Sequence, residues 1–587
     1  MNTHTTPPDG PWPTVPRPPV PGAPVPGPTD PRPTAHAAHA GPRRVRLLTV
    51  RALAVLGALA VLLACWGSLL PPAHAAARPA PPVTPVVHVD SGALQGAETP
   101  AGLEFRGVPY AAPPTGELRW EPPQPVAPWS GVREATTYSP VCPQAPPSPN
   151  GQSEDCLYLN VTVPAGTRAD AKLPVIVWIH GGGFELGEGA DYEASDLASH
   201  GAVVVTINYR LGLLGFLSHP ALADRDGASG NYGLMDQQAA LRWVHRNVAG
   251  FGGDAGNVTI AGQSAGGLSV AMHLASPGAK GLFQRAVIQS GAFAPVQKPL
   301  ARAEREGVAS ATEVGCGDGS ARQVAACLRD VPVDTLVAHQ PLSITPGVVD
   351  GAVLPRSVGN AVATGRFHRV PILNGVNTQE NRIFTTLGLS VTRGATAVLP
   401  GPIDASNYES TIATNFGVDA RTAAFIAKAY PLSRYVSPAQ AFSVLNSDAN
   451  FSCPALALDG AASAWVKTYA YEFNDAQAPR LFAPDTLGEP YAATHQSELA
   501  YLFDQPNAPL PGELSPSQQQ LADTMQAAWV QFARTGSPAT AATPWPRFDL
   551  RGQQILSLDD PAPSVERGFA ADHRCGVWAA VALFGTH

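Results

Sequence analysis

A serine hydroxyl attacks a carbonyl only when its oxygen stands clear of the backbone, its proton has an acceptor, and the developing oxyanion meets hydrogen-bond donors. The stretch VTIAGQSAGGLSV, residues 258–270, meets the first of these needs. Gly262 and Gly266 stand two residues on either side of Ser264, in the pattern G-x-S-x-G. A β-branched run enters the stretch and an Ala/Leu/Val pattern leaves it, so Ser264 falls where a strand turns into a helix. In such a nucleophile elbow a tight turn lifts the hydroxyl above the sheet and tolerates only small neighbours. The same pattern arises by chance in glycine-rich chains, where the serine is only a turn residue; the strand and helix on its two sides favour a nucleophile. A second motif, IHGGGF, places His180, Gly181, Gly182, Gly183 and Phe184 directly after the apolar run LPVIVWI. Without Cβ atoms, backbone N–H groups there can approach a carbonyl oxygen closely. Two loops of one sheet carrying matching parts of one site point to acyl transfer by a serine.

Those loops need a scaffold, and the sequence supplies one. Short apolar runs are expected to be strands at residues 173–180, 202–209, 257–262, 285–291, 370–376 and 469–473. Their hydrophobicity is continuous rather than alternating, which means burial on both faces, as in a mainly parallel sheet covered by helices. Residues 234–248 fit an intervening helix with Leu241, Val244 and Val248 on one face. The βαβ order predicts an α/β fold, in which ligands bind beyond the carboxyl ends of the strands.

The chain has 587 residues, 44% hydrophobic and 14% charged, with a formal net charge of −8. That balance leaves no basic footprint for nucleic acid and suits a soluble enzyme. Residues 1–42 hold 14 prolines and almost no large apolar residues, so they cannot offset the entropy of ordering and are expected to be a disordered leader. Arg43, Arg44, Arg46 and Arg51 then precede an apolar run at residues 52–70, and Ala73 and Ala75 have the spacing a signal peptidase accepts. Residues 43–77 are therefore expected to be a cleaved signal peptide or a retained anchor, with membrane attachment through residues 52–70. LLAC at Cys65 admits a lipoprotein, Arg43 and Arg44 weakly resemble a twin-arginine signal, and a start further along the chain would also account for the leader. Each of these readings puts the body outside the cytoplasm. Of the seven cysteines, Cys65 lies in the leader and Cys142, Cys156, Cys316, Cys327, Cys453 and Cys575 form an even set, as disulfides in an exported chain would. No spacing suggests a metal or cofactor: there is no CxxC, HExxH, Walker loop or dinucleotide fingerprint.

The chain resembles the type-B carboxylesterases of the α/β-hydrolase superfamily, which also contains the cholinesterases. FGGDAGNVTIAGQSAG (residues 251–266) fits the serine signature of that family, and SEDCLYLNV (153–161) resembles its second signature. Further matches run from FRGVPYAAPP at Phe105 through GNYGLMDQQAALRWV, KGLFQRAVIQSG, VVDGAVLP and FARTGSP to HRCGVW. The resemblance implies one α/β-hydrolase domain over residues 78–587. On residues alone, Glu380, Asp350 and Asp448 are equal candidates for the acid; NGVNTQENRIF matches the acid segment of the family and points to Glu380. PYAATHQSELAYLF matches its histidine loop and points to His495. The order Ser264, Glu380, His495 is the one this superfamily uses. The resemblance also implies an oxyanion hole from the N–H groups of Gly182, Gly183 and Ala265, the pairs Cys142–Cys156, Cys316–Cys327 and Cys453–Cys575, and a structural ion pair of Arg119 with Glu154.

Departures from the family narrow the substrate. The first disulfide loop, PQAPPSPNGQSED, has no aromatic where cholinesterases hold choline; Gln263 replaces the usual glutamate; and HQPLSIT (339–345) lacks acyl-pocket aromatics. Cation–π and charge contributions are thereby lost, favouring uncharged carboxylic esters. Gln379 and Asn381 also depart from the Asp-Glu-Gly usual around the acid. A lipase would need an apolar lid, for which FTTLGLSVTRGATAVLPGP (384–402) is the candidate flap or merely a surface loop. A binding protein on this fold would be expected to have a broken triad, and none of its residues is missing here.

Overall fold

The computed structural model describes residues 81–225, 227–341, 347–392, 394–482, 491–510 and 512–584. The expectations for residues 1–42, 43–77 and 52–70, and for Cys65, lie outside the described residues, as does most of the 339–345 stretch. No helix among the described residues is long and apolar enough to cross a membrane.

Eleven strands form one sheet. In chain order they are β1 (Ala97–Thr99), β2 (Gly102–Pro109), β3 (Tyr158–Pro164), β4 (Leu173–Ile179), β5 (Val203–Ile207), β6 (Gly253–Gln263), β7 (Arg285–Gln289), β8 (Ile372–Asn377), β9 (Thr468–Phe473), β10 (Ile555–Leu558) and β11 (Ser564–Glu566). Across the sheet they lie in the order β11-β10-β9-β8-β7-β6-β4-β5-β3-β2-β1. The seven strands from β10 to β5 run parallel, and antiparallel strands close both edges. This is the mainly parallel α/β sheet expected, and each of the six anticipated strands is present. The antiparallel strands β2 and β3 had no continuous apolar run to mark them. In β3 alternate residues are buried, the pattern of a strand covered closely on one face.

Alternation through the pleat feeds two cores. Val175, Val177 and Ile179 of β4 pack on one side with Val258, Ile260, Ala286 and Ile288. Ile176 and Trp178 point to the other side with Val204, Ala261 and Val287. The first face is covered by α1 (Tyr232–Asn247), α2 (Ala265–Ala275) and, beyond α3 (Pro438–Ser447), by α4 (Cys453–Ser463). Leu241, Val244 and Val248 are fully buried there, as their spacing predicts. The second face is covered by α5 (Pro516–Thr535), opened by a Ser515–Gln518 capping box and closed by Gly536 in the left-handed region. Each fully buried Val, Leu or Ile contributes roughly 1.5–3 kcal/mol by transfer.

The disulfides Cys142–Cys156, Cys316–Cys327 and Cys453–Cys575 are all formed, and Arg119 holds Glu154 in a two-pronged pair of 2.7 and 2.6 Å. A second buried pair, Arg210 with Asp236 at 2.8 Å, had no signal in the sequence reading. The last disulfide ties α6 (Cys575–Phe584) beside a π-helical turn, Asp448–Ser452, that joins α3 to α4. His573 sits between two carboxylates here, with Nδ1 2.6 Å from Asp448 and Nε2 2.7 Å from Glu472. Tyr430 donates its hydroxyl to Asp448 at 2.7 Å, and Trp578 donates to Tyr430 at 2.8 Å.

Burial opposes charge on His573, but its hydrogen bonds to Asp448 and Glu472 outweigh that penalty and lift it from 6.5 to about 10. A raised value in the fold means that the stabilisation is fully present below pH 6.5 and lost as pH rises through about 10. We therefore expect His573→Gln to lower stability at neutral pH by about 3–5 kcal/mol, the cost of breaking a buried pair. Urea denaturation at pH 7 and pH 10.5 checks this: the gap between wild type and variant should shrink at the higher pH.

Candidate active site

β6 ends at Gln263, and Ser264 turns the chain into α2 with φ 56° and ψ −123°. Its N–H donates to the Gln289 carbonyl at 2.8 Å, and its own carbonyl accepts from Leu268 N at 2.8 Å. From Val258 to Ser276 every residue is buried except Ser264. The flanking glycines are required by close approach: a Cβ on Gly266 would collide with the Ile179 carbonyl, and one on Gly262 with the backbone of Gly266. The serine is therefore presented at the carboxyl end of the parallel strands, where an α/β sheet binds its ligands.

The glycine loop leaves the neighbouring strand β4. Gly182, Gly183 and Phe184 all have positive φ, at 99°, 67° and 65°. Gly181 backs onto the elbow, for a Cβ there would lie 3.2 Å from the Ser264 Cβ. His180 anchors the loop: its ring stacks on Tyr209 at 4.4 Å, and Nδ1 lies 2.9 Å from the Gly181 carbonyl. Burial pushes His180 down to about 4, so it is neutral at pH 7. Among the described residues, the backbone N–H groups of Gly182, Gly183 and Ala265 have no acceptor within the protein.

Glu380 follows β8 and is fully buried. Its carboxylate accepts from Asn377 N at 2.8 Å, from Ser290 Oγ at 2.5 Å and from His495 Nδ1 at 2.5 Å. Of the three acids that the sequence left open, only Glu380 meets His495. Asp350 accepts from Asn231, Ala352 and Leu354, and Asp448 belongs to the His573 cluster. The histidine loop is pinned to the acid loop along its length: Gln379 N donates to Ala493 O at 2.9 Å, Ile383 N to Thr494 Oγ1 at 2.9 Å, and Asn377 Nδ2 to Thr494 O at 2.6 Å. Phe384 and Phe451 flank the His495 ring, each with its centroid 5.2 Å away, and Phe293 stands 5.6 Å behind Phe451.

With Nδ1 donating to Glu380, the ring presents a lone pair at Nε2. Among the described hydrogen bonds none runs from Ser264 Oγ to that lone pair; the amide nitrogen of Gln263 lies 3.3 Å from it instead. The structure thus joins Glu380 to His495 directly and brings both to the elbow, with the serine hydroxyl not yet engaged. Such bonds are often long before substrate binds.

Several polar residues here escaped the sequence reading. Glu498 is wholly buried and accepts from Asn377 Nδ2 at 2.6 Å and Gln289 Nε2 at 3.2 Å, while Gln289 Oε1 accepts from Trp529 at 2.8 Å. Burial, and then the nearby Glu380 charge, push Glu498 up to about 7. Ser290, Asn377 and Gln289 share one signal, a polar residue at or just beyond the end of a buried strand; Glu498 lies inside a short 3-10 helix, Ser497–Tyr501, and has no such mark. Asn381, where the resemblance expects glycine, is buried with neither side-chain atom hydrogen-bonded.

Comparison with known proteins agrees with this geometry. Residues 83–578 match the model of the carboxylesterase family. The chain is 35% identical to the fumonisin B1 esterase of Sphingopyxis macrogoltabida, over 80% of this chain and 85% of that protein. It is 34% identical to the para-nitrobenzyl esterase of Bacillus subtilis (strain 168), over 81% of this chain and 94% of that one. Among solved structures, a PNB esterase superposes with a TM-score of 0.69 at 32% identity, covering 84% of this chain and 99% of its own. A thermophilic PNB esterase gives 0.70 at 31% with the same coverage. The chain belongs to the carboxylesterase family, has the α/β-hydrolase fold, and is a carboxylic ester hydrolase.

Proposed function

We propose that this enzyme acts outside the cytoplasm on uncharged carboxylic esters through an acyl-enzyme, with Ser264 as nucleophile, His495 as base and Glu380 as the acid that orients it. One observation carries the reading: the 2.5 Å contact of Glu380 with His495, set beside a serine held in left-handed backbone against a glycine loop. Ser264 Oγ forms a bond to the ester carbonyl carbon as His495 Nε2 takes its proton. The carbonyl oxygen becomes an oxyanion, for which the free N–H groups of Gly182, Gly183 and Ala265 are the available donors. The C–O bond to the alcohol then breaks, and the imidazolium returns the proton to the leaving oxygen. Water repeats the sequence on the acyl-enzyme and releases the acid. Glu380 keeps the Nδ1 proton in place and stabilises the imidazolium without taking the proton itself.

Apolar rings at the base, Phe293, Phe384 and Phe451, support uncharged acyl or alcohol groups. So does neutral Gln263 beside the serine. Three disulfides support export, since such bonds persist in oxidising compartments. A lipase-like variant of the reading is favoured by one feature. The 384–402 stretch forms a hairpin, Leu389–Thr392 with Ala395–Val398, carrying exposed Val398 and preceded by exposed Leu387.

Hydrolysis of p-nitrophenyl esters from acetate to palmitate tests the function. Turnover should be greatest on short chains and fall by on the order of 10⁴–10⁶ in Ser264→Ala with an unchanged melting temperature. Glu380→Gln should cost about 10⁴ in kcat. A palmitate optimum would select the lipase-like variant, and full turnover in Ser264→Ala would overturn the assignment. In the exported protein, thiol titration under denaturing, non-reducing conditions should find none of the six body cysteines free; free Cys142 or Cys156 would contradict the oxidising compartment.

A further inference from the structure

Gln263 is the last residue of β6 and is fully buried. Its amide nitrogen is 3.3 Å from His495 Nε2, while its Oε1 has no hydrogen-bond partner. That oxygen faces the glycine loop, for a Cβ on Gly181 would lie 3.0 Å from it. The direction of the amide follows from the ring. Nδ1–H donates its hydrogen bond to Glu380, so Nε2 offers a lone pair, which attracts an N–H and repels a carbonyl oxygen. The lone pair held by Gln263 is the same one that must receive the serine proton.

We infer that Gln263 is a positioning residue whose amide N–H holds His495 Nε2 unprotonated, so that hydrolysis continues further into the acid range than an apolar or acidic side chain at this place would permit. The inference rests on His495 being the base. Protonating Nε2 requires this buried hydrogen bond to be given up and leaves two N–H dipoles opposed, a cost raised by the low local dielectric. A carboxylate in the same place would act in the opposite sense and favour the charged ring. The other groups that meet the ring or act on it are Glu380 at Nδ1, Glu498 on its own loop, and the rings of Phe384 and Phe451. All of them are common to the variants compared, so the comparison isolates position 263.

The experiment is kcat/KM for 1-naphthyl acetate from pH 4 to pH 9 in wild type, Gln263→Met and Gln263→Glu, with melting temperatures as the check on folding. The acid limb should move up by about 0.5–1 pH unit in Gln263→Met, the equivalent of one neutral hydrogen bond. It should move up by about 1–2 units in Gln263→Glu. A limb that stays or moves down in folded Gln263→Met overturns the inference, because the amide would then turn over and accept from the imidazolium. If Gln263→Met does not fold, Gln263→Leu, equally neutral and apolar, decides by the same criterion. His495→Ala separates the base from its partner: retained turnover there refutes His495 as the base, whereas lost turnover there, with a limb unmoved in Gln263→Met, refutes only the part given to Gln263.

Discussion

Ser264 holds a backbone conformation that L-residues avoid, at a typical cost of 1–3 kcal/mol, and the surrounding structure depends on keeping it there. It is held from both sides. On one side β4 and β7 fix the end of β6 through the parallel ladder, and the Gln289 carbonyl takes the Ser264 N–H. On the other, α2 packs so closely on the end of β4 that a methyl group on Gly266 would overlap the Ile179 carbonyl. The same close packing brings the glycine loop beside the serine, so the proposed nucleophile and the proposed oxyanion donors are positioned together.

The second half of the site is mounted on the end of β8. Asn377 is the joint: its N–H binds Glu380, and its side chain binds both the Thr494 carbonyl and Glu498. The proposed base is set from there outward, by Glu380 at Nδ1, Phe384 and Phe451 against the ring, and Gln263 at Nε2. Phe451 belongs to the π turn that follows Asp448, and that turn is held by the His573 cluster and the Cys453–Cys575 disulfide. The C-terminal region thus reaches His495 through one aromatic ring and a widened helical turn.

How much of this was legible depended on how local each signal is. The parallel strands show as continuous apolar runs because both faces are buried, and Ser264, Gly182 and Gly183 show because a tight turn demands small residues at fixed spacing. Glu380 and His495 carry no such mark among 46 acidic residues and 15 histidines, and only likeness to a family singled them out. Their mutual contact spans 115 positions and the Gln263–His495 contact 232, distances over which no periodicity operates. Gln263 was visible as a missing charge, but its contact with His495 was not, because that depends on which way a side-chain amide faces. The antiparallel strands and the π turn were missed for a related reason: alternation over short runs is weak, and nothing in Asp448–Ser452 announces a widened turn.

Covalent capture distinguishes Ser264 from every other serine as the nucleophile. The protein would be treated with a fluorophosphonate and its peptides weighed by mass spectrometry. One adduct per chain is expected, on Ser264, formed much more slowly in His495→Ala than in wild type although both are folded. An adduct on another serine, or equal labelling rates with and without His495, would contradict it.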